Sequence, residues 1–428
     1  MSTTSQWWKH GHHNTIVEWH ALMGFTRDSG FGPCTNGGSS PIRSMVATAG
    51  TILTLSVTLG TAPGVGASRT IAVRVNGVDS ALSVTISGTN KTGTATGTLA
   101  VSAGDVVLLH ATSSGAASSG INTSVEFEPT SADSYSYSGN YYYGDSFGSQ
   151  ISSAPQYAPL LDSSPYQQTS ESLAHETRSL VPFAATITDF YVDLSAAPGT
   201  GTSWDLVIMV NGVENATSVI NIAGSSTKGH LNGLSVAVAA GDYLTFKVKA
   251  ANSSPASTWL GWAVVLSPTT SGLFCWNEIT ADSEASTTYY GSVGHIETNT
   301  GSEASVYPTI VPATLTAVAL YVALGAAPGS GKSWSLNQRI NGVTANLSAV
   351  VSGAAVTAGS DTAHSDSFAA TDDIHYQLAA SGSPSFTSGH MTAIALTTGS
   401  VGGGFTAKAR RTVTQLGTRI GSRQVRAA

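Results

Sequence analysis

Charge is what this 428-residue chain has least of. Only 10% of it is Asp, Glu, Lys or Arg. Lys, Glu, Leu and Arg are correspondingly scarce, which argues against a helical protein. Cysteine is nearly absent. Cys34 and Cys275 are the only two and lie in different parts of the chain, so no disulfide framework is expected, and manufacture in a reducing cytoplasm is. No apolar run approaches the ~18 residues of a transmembrane helix, so membrane insertion is not expected. The residues from Met1 to His10 lack the charged and apolar regions of a signal peptide. Catalytic signatures are missing too: no G-x-S-x-G elbow, Walker loop, H-E-x-x-H or Cys-x-x-Cys occurs. A non-enzymatic chain without a cofactor is therefore expected. His10, His12 and His13 have no acid or Cys at a convincing ligand spacing, so no native metal is expected either.

What is abundant is Gly, at 46 residues, together with Ser, Thr, Ala and Val. Alternating runs of Val, Ile and Leu and an aromatic content of 8% separate the chain from a disordered one. This composition suits many short strands joined by tight turns.

One stretch occurs three times. Ala62-Pro63-Gly64 is followed by Val75-Asn76-Gly77-Val78, Ala197-Pro198-Gly199 by Val210-Asn211-Gly212-Val213, and Ala327-Pro328-Gly329 by Ile340-Asn341-Gly342-Val343. The Pro and Asn are 13 residues apart in each copy, and the copies recur after 135 and then 130 residues. A period of this size is that of a whole domain. Pro-Gly supplies the φ values of a type II turn, and Asn-Gly between strand-like runs is a strong hairpin signal. In the second copy Trp204, Leu206, Ile208 and Val210 alternate. In the third Gln338 interrupts the row of Trp334, Leu336 and Ile340. In the first Arg69 holds the Trp position. Downstream, Gly104-Asp105 matches Gly241-Asp242, and the third copy is reduced to Asp372-Asp373. These acids read as turn residues bonding nearby backbone, with no partner that repeats alongside them. Val46, Val181 and Val311 precede each repeat.

About eight strands per unit and frequent Gly turns predict an all-β chain of three tandem β-sandwich, jelly-roll-like domains. The expected limits are 1–129, with a Trp/His-rich N-terminal arm, then 130–268 and 269–398, with a basic C-terminal arm over 399–428. That arm follows Gly402-Gly403-Gly404 and holds Lys408, Arg410, Arg411, Arg419, Arg423 and Arg426 with no acid. It leaves 12 basic against 25 acidic residues in the remainder.

Three groups of residues are candidates for contact. Trp7, Trp8 and Trp19 either anchor the N-terminal arm in a partner's groove or form the first strands of domain one. The six basic residues of the tail suit an acidic surface, of protein or nucleic acid, or simply aid solubility. Tyr135, Tyr137, Tyr141, Tyr142 and Tyr143 form a Tyr/Ser/Gly stretch that suits stacking on a sugar, or else an ordinary Tyr-rich strand.

The run A-P-G-x-G-x-S-W … V-N-G-V … A-G-D resembles a module of tailed-bacteriophage virion proteins, over roughly residues 46–398. Arg69 in place of Trp and the altered third Gly-Asp depart from that pattern. The resemblance implies jelly rolls serving as capsid decoration, head spike or tail-associated fibre. It implies localisation in the virion after synthesis in the host cytoplasm, with major capsid or other virion proteins as partners. It also implies a homotrimer, or an intrachain pseudo-trimer. The alternative is a carbohydrate-binding adhesin or receptor-binding module facing a host surface glycan.

Overall fold

The computed structural model describes residues 6–13, 19–21, 45–115, 121–131, 134–141, 155–161, 177–252, 254–256, 258, 260–280, 288–293, 302–303, 309–311, 314–384 and 390–398. Most of these lie in antiparallel strands packed as sandwiches, as the composition predicts.

The first sandwich holds β1 (Gln6–His13), β2 (Trp19–Ala21), β3 (Gly50–Leu59), β4 (Gly64–Val75), β5 (Val78–Gly88), β6 (Thr92–Val101), β7 (Val107–Ser114) and β8 (Ile121–Pro129). Its sheets have the orders β1-β8-β3-β6 and β2-β7-β4-β5. The outer pairs of the two sheets, β1-β8, β3-β6, β2-β7 and β4-β5, have ranks that sum to nine, as in one long antiparallel hairpin, and the central pairs β8-β3 and β7-β4 form as that hairpin rolls up on itself. This is the jelly-roll connection.

The second sandwich holds β9 (Tyr135–Tyr141), β10 (Gln156–Pro159), β11 (Ser179–Leu180), β12 (Ala185–Leu194), β13 (Gly199–Val210), β14 (Val213–Glu214), β15 (Ile220–Gly224), β16 (Lys228–Val238), β17 (Tyr243–Asn252) and β18 (Leu260–Pro268). The third holds β19 (Leu273–Thr280), β20 (Tyr289–Ser292), β21 (Thr309–Ile310), β22 (Leu315–Leu324), β23 (Gly329–Ile340), β24 (Val343–Gly353), β25 (Ala358–Asp361), β26 (Asp366–Phe368), β27 (Asp373–Ser381) and β28 (His390–Thr397). Each repeats the same order, with some strands split in two: β16-β12-β18-β9 answers β19-β28-β22-β25, and β10-β17-β13-β14 answers β20-β27-β23-β24.

The turns follow from the repeated residues. Gly64, Gly199 and Gly329 take φ of 103°, 105° and 107° after their prolines, and Asn76, Asn211 and Asn341 take 49°, 51° and 50°. Asn accepts this left-handed region better than other non-Gly residues, which is why it opens each tight hairpin.

Alternation then decides the cores. Trp204, Leu206 and Ile208 are fully buried, as are Trp334 and Leu336, each worth about 1.5–3 kcal/mol in removed apolar surface. The equivalent first-domain strand buries Ile71 and Val73 beside Arg69, which is only 3% exposed. Desolvation pulls the Arg69 pKa below its usual range. A register shift interrupts β3 between Ile52 and Thr54, β12 between Ile187 and Asp189, and β22 between Ala317 and Ala319. One extra residue at the same place in each domain switches the strand's parity, so Ile187 and Phe190 both enter the core. That bulge shows the three domains to be equivalent beyond the motif that first reveals them.

Candidate assembly interface

The repeated residues converge on one edge of each sandwich. In domain one, Asn76 Nδ2 donates to Asp105 Oδ1 at 2.8 Å, and Asn76 Oδ1 accepts from the Val106 amide at 3.0 Å. Asp105 Oδ2 accepts from the Ser102 amide at 2.7 Å. The pattern recurs as Asn211–Asp242 at 2.8 Å, with Tyr243 and Ala239 supplying the amides, and as Asn341–Asp372 at 2.9 Å, with Asp373 and Ala369. Val46, Val181 and Val311 close the same knot. Each amide donates to the carbonyl of the clasp Asp at 2.8 Å, and each carbonyl accepts at 2.7 Å from the residue before that Asp.

Two expectations are corrected by this. The turn acids do have a partner that repeats with them, the hairpin Asn. And the third copy has kept its clasp: Thr371 replaces Gly104 and Gly241 at the same positive φ, 74° against 86° and 89°.

The clasped edge of one domain packs on a sheet of the next. Met45, Ala47 and Val106 of domain one meet Ala263 and Val265 on β18 and Tyr191 on β12. Leu180 of domain two meets Met391 and Ala393 on β28 and Tyr321 and Ala323 on β22. Leu180 is the counterpart of Met45, Tyr321 of Tyr191, and Ala393 of Ala263, by the repeat offsets of 135 and 130 residues. The same seam is therefore built twice, each time from an edge on one side and a sheet face on the other. Polar bonds accompany it. The Ala47 amide donates to Ser136 Oγ at 2.8 Å, and the Cys275 amide donates to the Tyr137 hydroxyl at 3.0 Å. Tyr135 and Phe274 rings lie 6.1 Å apart across the second seam. The cores of domains two and three run together as one apolar cluster.

Tyr135 and Tyr137, candidates either for a sugar-facing surface or for an ordinary Tyr-rich strand, are buried, at 0% and 2% exposure. Their stretch is strand β9, paired with β18, so alternation turns both rings inward; neither can stack on a sugar. Burial pushes the Tyr137 hydroxyl well up from its usual range, with Cys275 adding to it. Burial likewise pushes the Cys275 thiol up to about 12, against the lowering effect of its bonds to Tyr137 and Asn277. Tyr141 ends β9, and Tyr142 and Tyr143 lie outside the described residues.

The backbone at Trp7 and Trp8 belongs to β1, opposite Glu126 and Val125, and that at Trp19 to β2, opposite His110. These residues are thus strands of domain one rather than a detached arm. Lys408, Arg410, Arg411, Arg419, Arg423 and Arg426 lie outside the described residues.

Two polar groups on the outer face of the second sheet were not foreseen. In domain two, Lys247 Nζ donates to Glu214 Oε1 at 2.6 Å and lies 5.3 Å above the Tyr157 ring, with Lys249 on the other Glu214 oxygen at 3.3 Å. In domain three, Gln377 Nε2 donates to the Tyr290 hydroxyl at 3.0 Å. Nearby, Glu303 Oε1 accepts from Arg339 Nη2 at 2.7 Å and lies 2.8 Å from His375 Nε2. Tyr157 and Tyr290 hold the same register position, opposite Lys247 and Gln377, and Trp19 opposite His110 is the first-domain counterpart. Composition gave no hint of this, because the partners come from strands distant in sequence. Among the described residues, no group of His, Cys, Asp or Glu is arranged to hold a metal ion, and no helix is long and apolar enough to cross a membrane.

No protein-family model matches the chain, and no curated protein matches it.

Proposed function

We propose that this chain is a non-enzymatic structural protein of a tailed-bacteriophage virion, decorating or projecting from the capsid or tail. It stabilises the particle or contacts the host. The observation that carries the reading is the seam built twice from equivalent residues. It turns three jelly rolls into one stiff body, and the repeated motif is spent on that edge rather than on a cleft. A particle-surface protein needs rigid bulk, low charge and a means of attachment, and the basic residues between Lys408 and Arg426 suit an acidic shell. The test is cryo-electron microscopy of particles carrying the full chain or a chain ending at residue 398. Density for the three domains, lost with the tail, supports the reading; purified chain that never associates with particles overturns it.

A second reading, a carbohydrate-binding adhesin, gains from the Tyr157 and Tyr290 clusters, which pair an aromatic face with hydrogen-bonding groups. It moves the sugar site from Tyr135 and Tyr137 to the outer sheet. Glycan-array binding lost on Tyr157→Ala and Tyr290→Ala would favour it.

A further inference from the structure

Two seams are present, yet each domain carries both an edge and a face. That leaves the edge of domain three and the face of domain one without a described occupant. We infer that these two surfaces meet, closing the chain into a pseudo-threefold ring.

The geometry of the existing seams points there. A contact between unlike surfaces, repeated by one rotation, gives either a ring or an open helix. Tyr135 and Phe274 are equivalent residues, and their ring centroids are 6.1 Å apart. Two domains of this size avoid overlap only if the rotation between them is large, and under a large rotation a point that moves so little lies close to the axis. The translation along that axis cannot exceed the same 6.1 Å. Domains of this length have a radius of gyration of roughly 14 Å. With so small a rise, successive turns of an open helix would collide, and a ring of three follows when the rotation per domain is about 120°.

Burial at the two remaining surfaces agrees. Ser124 points out of domain one from β8, at the position where Ala263 and Ala393 are covered by the preceding domain. It is only 5% exposed. On domain three, Asp373 stands where Val106 and Tyr243 stand in the other clasps. Its side chain is 25% exposed, and its Oδ1 is buried without a hydrogen bond among the described residues.

The chemistry of the third seam differs from the other two. Domain one offers Ser56 and Ser124 where domain two has Tyr191 and Ala263. Glu126 takes the place of Val265, and Thr54 Oγ1 donates to it at 2.8 Å. Ser56 Oγ lies 3.2 Å from Thr94 Oγ1 on its own sheet, which leaves Ser124 as the hydroxyl that closure would bring toward the domain-three edge. The third seam is polar where the first two are apolar.

The test is a pair of cysteines in the full chain lacking Cys34 (Cys34→Ser). Ile310, the register counterpart of Leu180, and Ser124 are changed to Cys. The control is Leu180→Cys with Ala393→Cys across the seam already described. Closure predicts that a short bismaleimide links both pairs to a similar extent, within single chains by light scattering and intact mass. A control pair that links while the Ile310–Ser124 pair does not, or links only between chains, overturns it. Should the variants fail to fold, images of the unmodified protein decide. Three lobes joined by three seams support the ring, and an arc with one gap sinks it. Neither readout depends on whether the chain belongs to a virion.

Discussion

Asn211 Nδ2 and Asp242 Oδ1 lie 2.8 Å apart, although 31 residues separate them in sequence. The same amide group also receives the Tyr243 N–H at 3.0 Å on its oxygen. One side chain thus opens a hairpin, holds the next turn and sets the edge on which the neighbouring domain is carried.

Asn211→Ala removes both bonds and places Ala at a φ of 51°. Each bond is worth about 1 kcal/mol, and the left-handed backbone costs about 1–2 kcal/mol more without Asn. A loss of about 3 kcal/mol in domain two is expected, with Asn211→Gly losing less because the backbone term is relieved. Hydrogen exchange of β13 and β17 amides reads the domain separately; equal losses for Ala and Gly would refute the backbone contribution.

Thr371 is β-branched and sits at a φ of 74°, a conformation that costs such a residue about 1–3 kcal/mol. Thr371→Gly restores the residue found at the other two clasps. Relief exceeds the added chain entropy of Gly, so a gain of about 1 kcal/mol in domain three is expected by denaturant unfolding. A destabilised variant would mean the Thr side chain contributes more than its backbone costs.

Acid titration should act in opposite directions at two neighbouring carboxylates. Burial works to raise the Glu303 pKa, but bonds from Arg339 and His375 outweigh it and the net shift is downward. Its contribution is therefore present above the unfolded carboxylate pKa near ~4.3 and is lost as pH falls through the lower folded value. Burial raises the Asp373 pKa, with His375 opposing. That group favours folding below the unfolded Asp pKa, and the benefit disappears as pH rises through the folded value. Glu303→Gln should lower the melting temperature at neutral pH and Asp373→Asn should raise it, the two effects shrinking in acid. The same sign for both variants at pH 7 would contradict this.

Cys275 is 1% exposed and its thiol is pushed up to about 12, so it should resist thiol reagents at neutral pH while the chain is folded. In a Cys34→Ser background, labelling should wait for unfolding. Tyr137→Phe removes the acceptor of the Cys275 amide and should cost about 1 kcal/mol while loosening the seam, seen as faster labelling. Rapid labelling of the folded Cys34→Ser chain, where Cys275 is the remaining thiol, would count against the buried seam.

Leu180 is 4% exposed and packs on Met391 and Ala393. Leu180→Ala should cost about 2–3 kcal/mol, with earlier separation of domains two and three on heating. Calorimetry that shows unchanged coupling would remove the seam's energetic importance.

The sequence by itself determined the all-β class, the three units and the turns at Pro-Gly and Asn-Gly. These depend on local rules: φ preferences, alternation and spacing are written in neighbouring residues. It also marked Asp105 and Asp242, but not their partner, since the clasp joins residues 29 and 31 apart that only the rolled sheet brings together. The direction of Tyr135 and Tyr137 was decided by tertiary structure. Composition makes a Tyr/Ser/Gly stretch resemble a binding surface, yet pairing with β18 fixes which face is the core. The bulges near the start of β3, β12 and β22 shift parity in a way no alternation rule anticipates. Above all, the seams belong to the tertiary level. Met45, Leu180, Ala263 and Ala393 look like ordinary core residues in the chain, and only the placement of one sandwich against the next shows that they hold domains together.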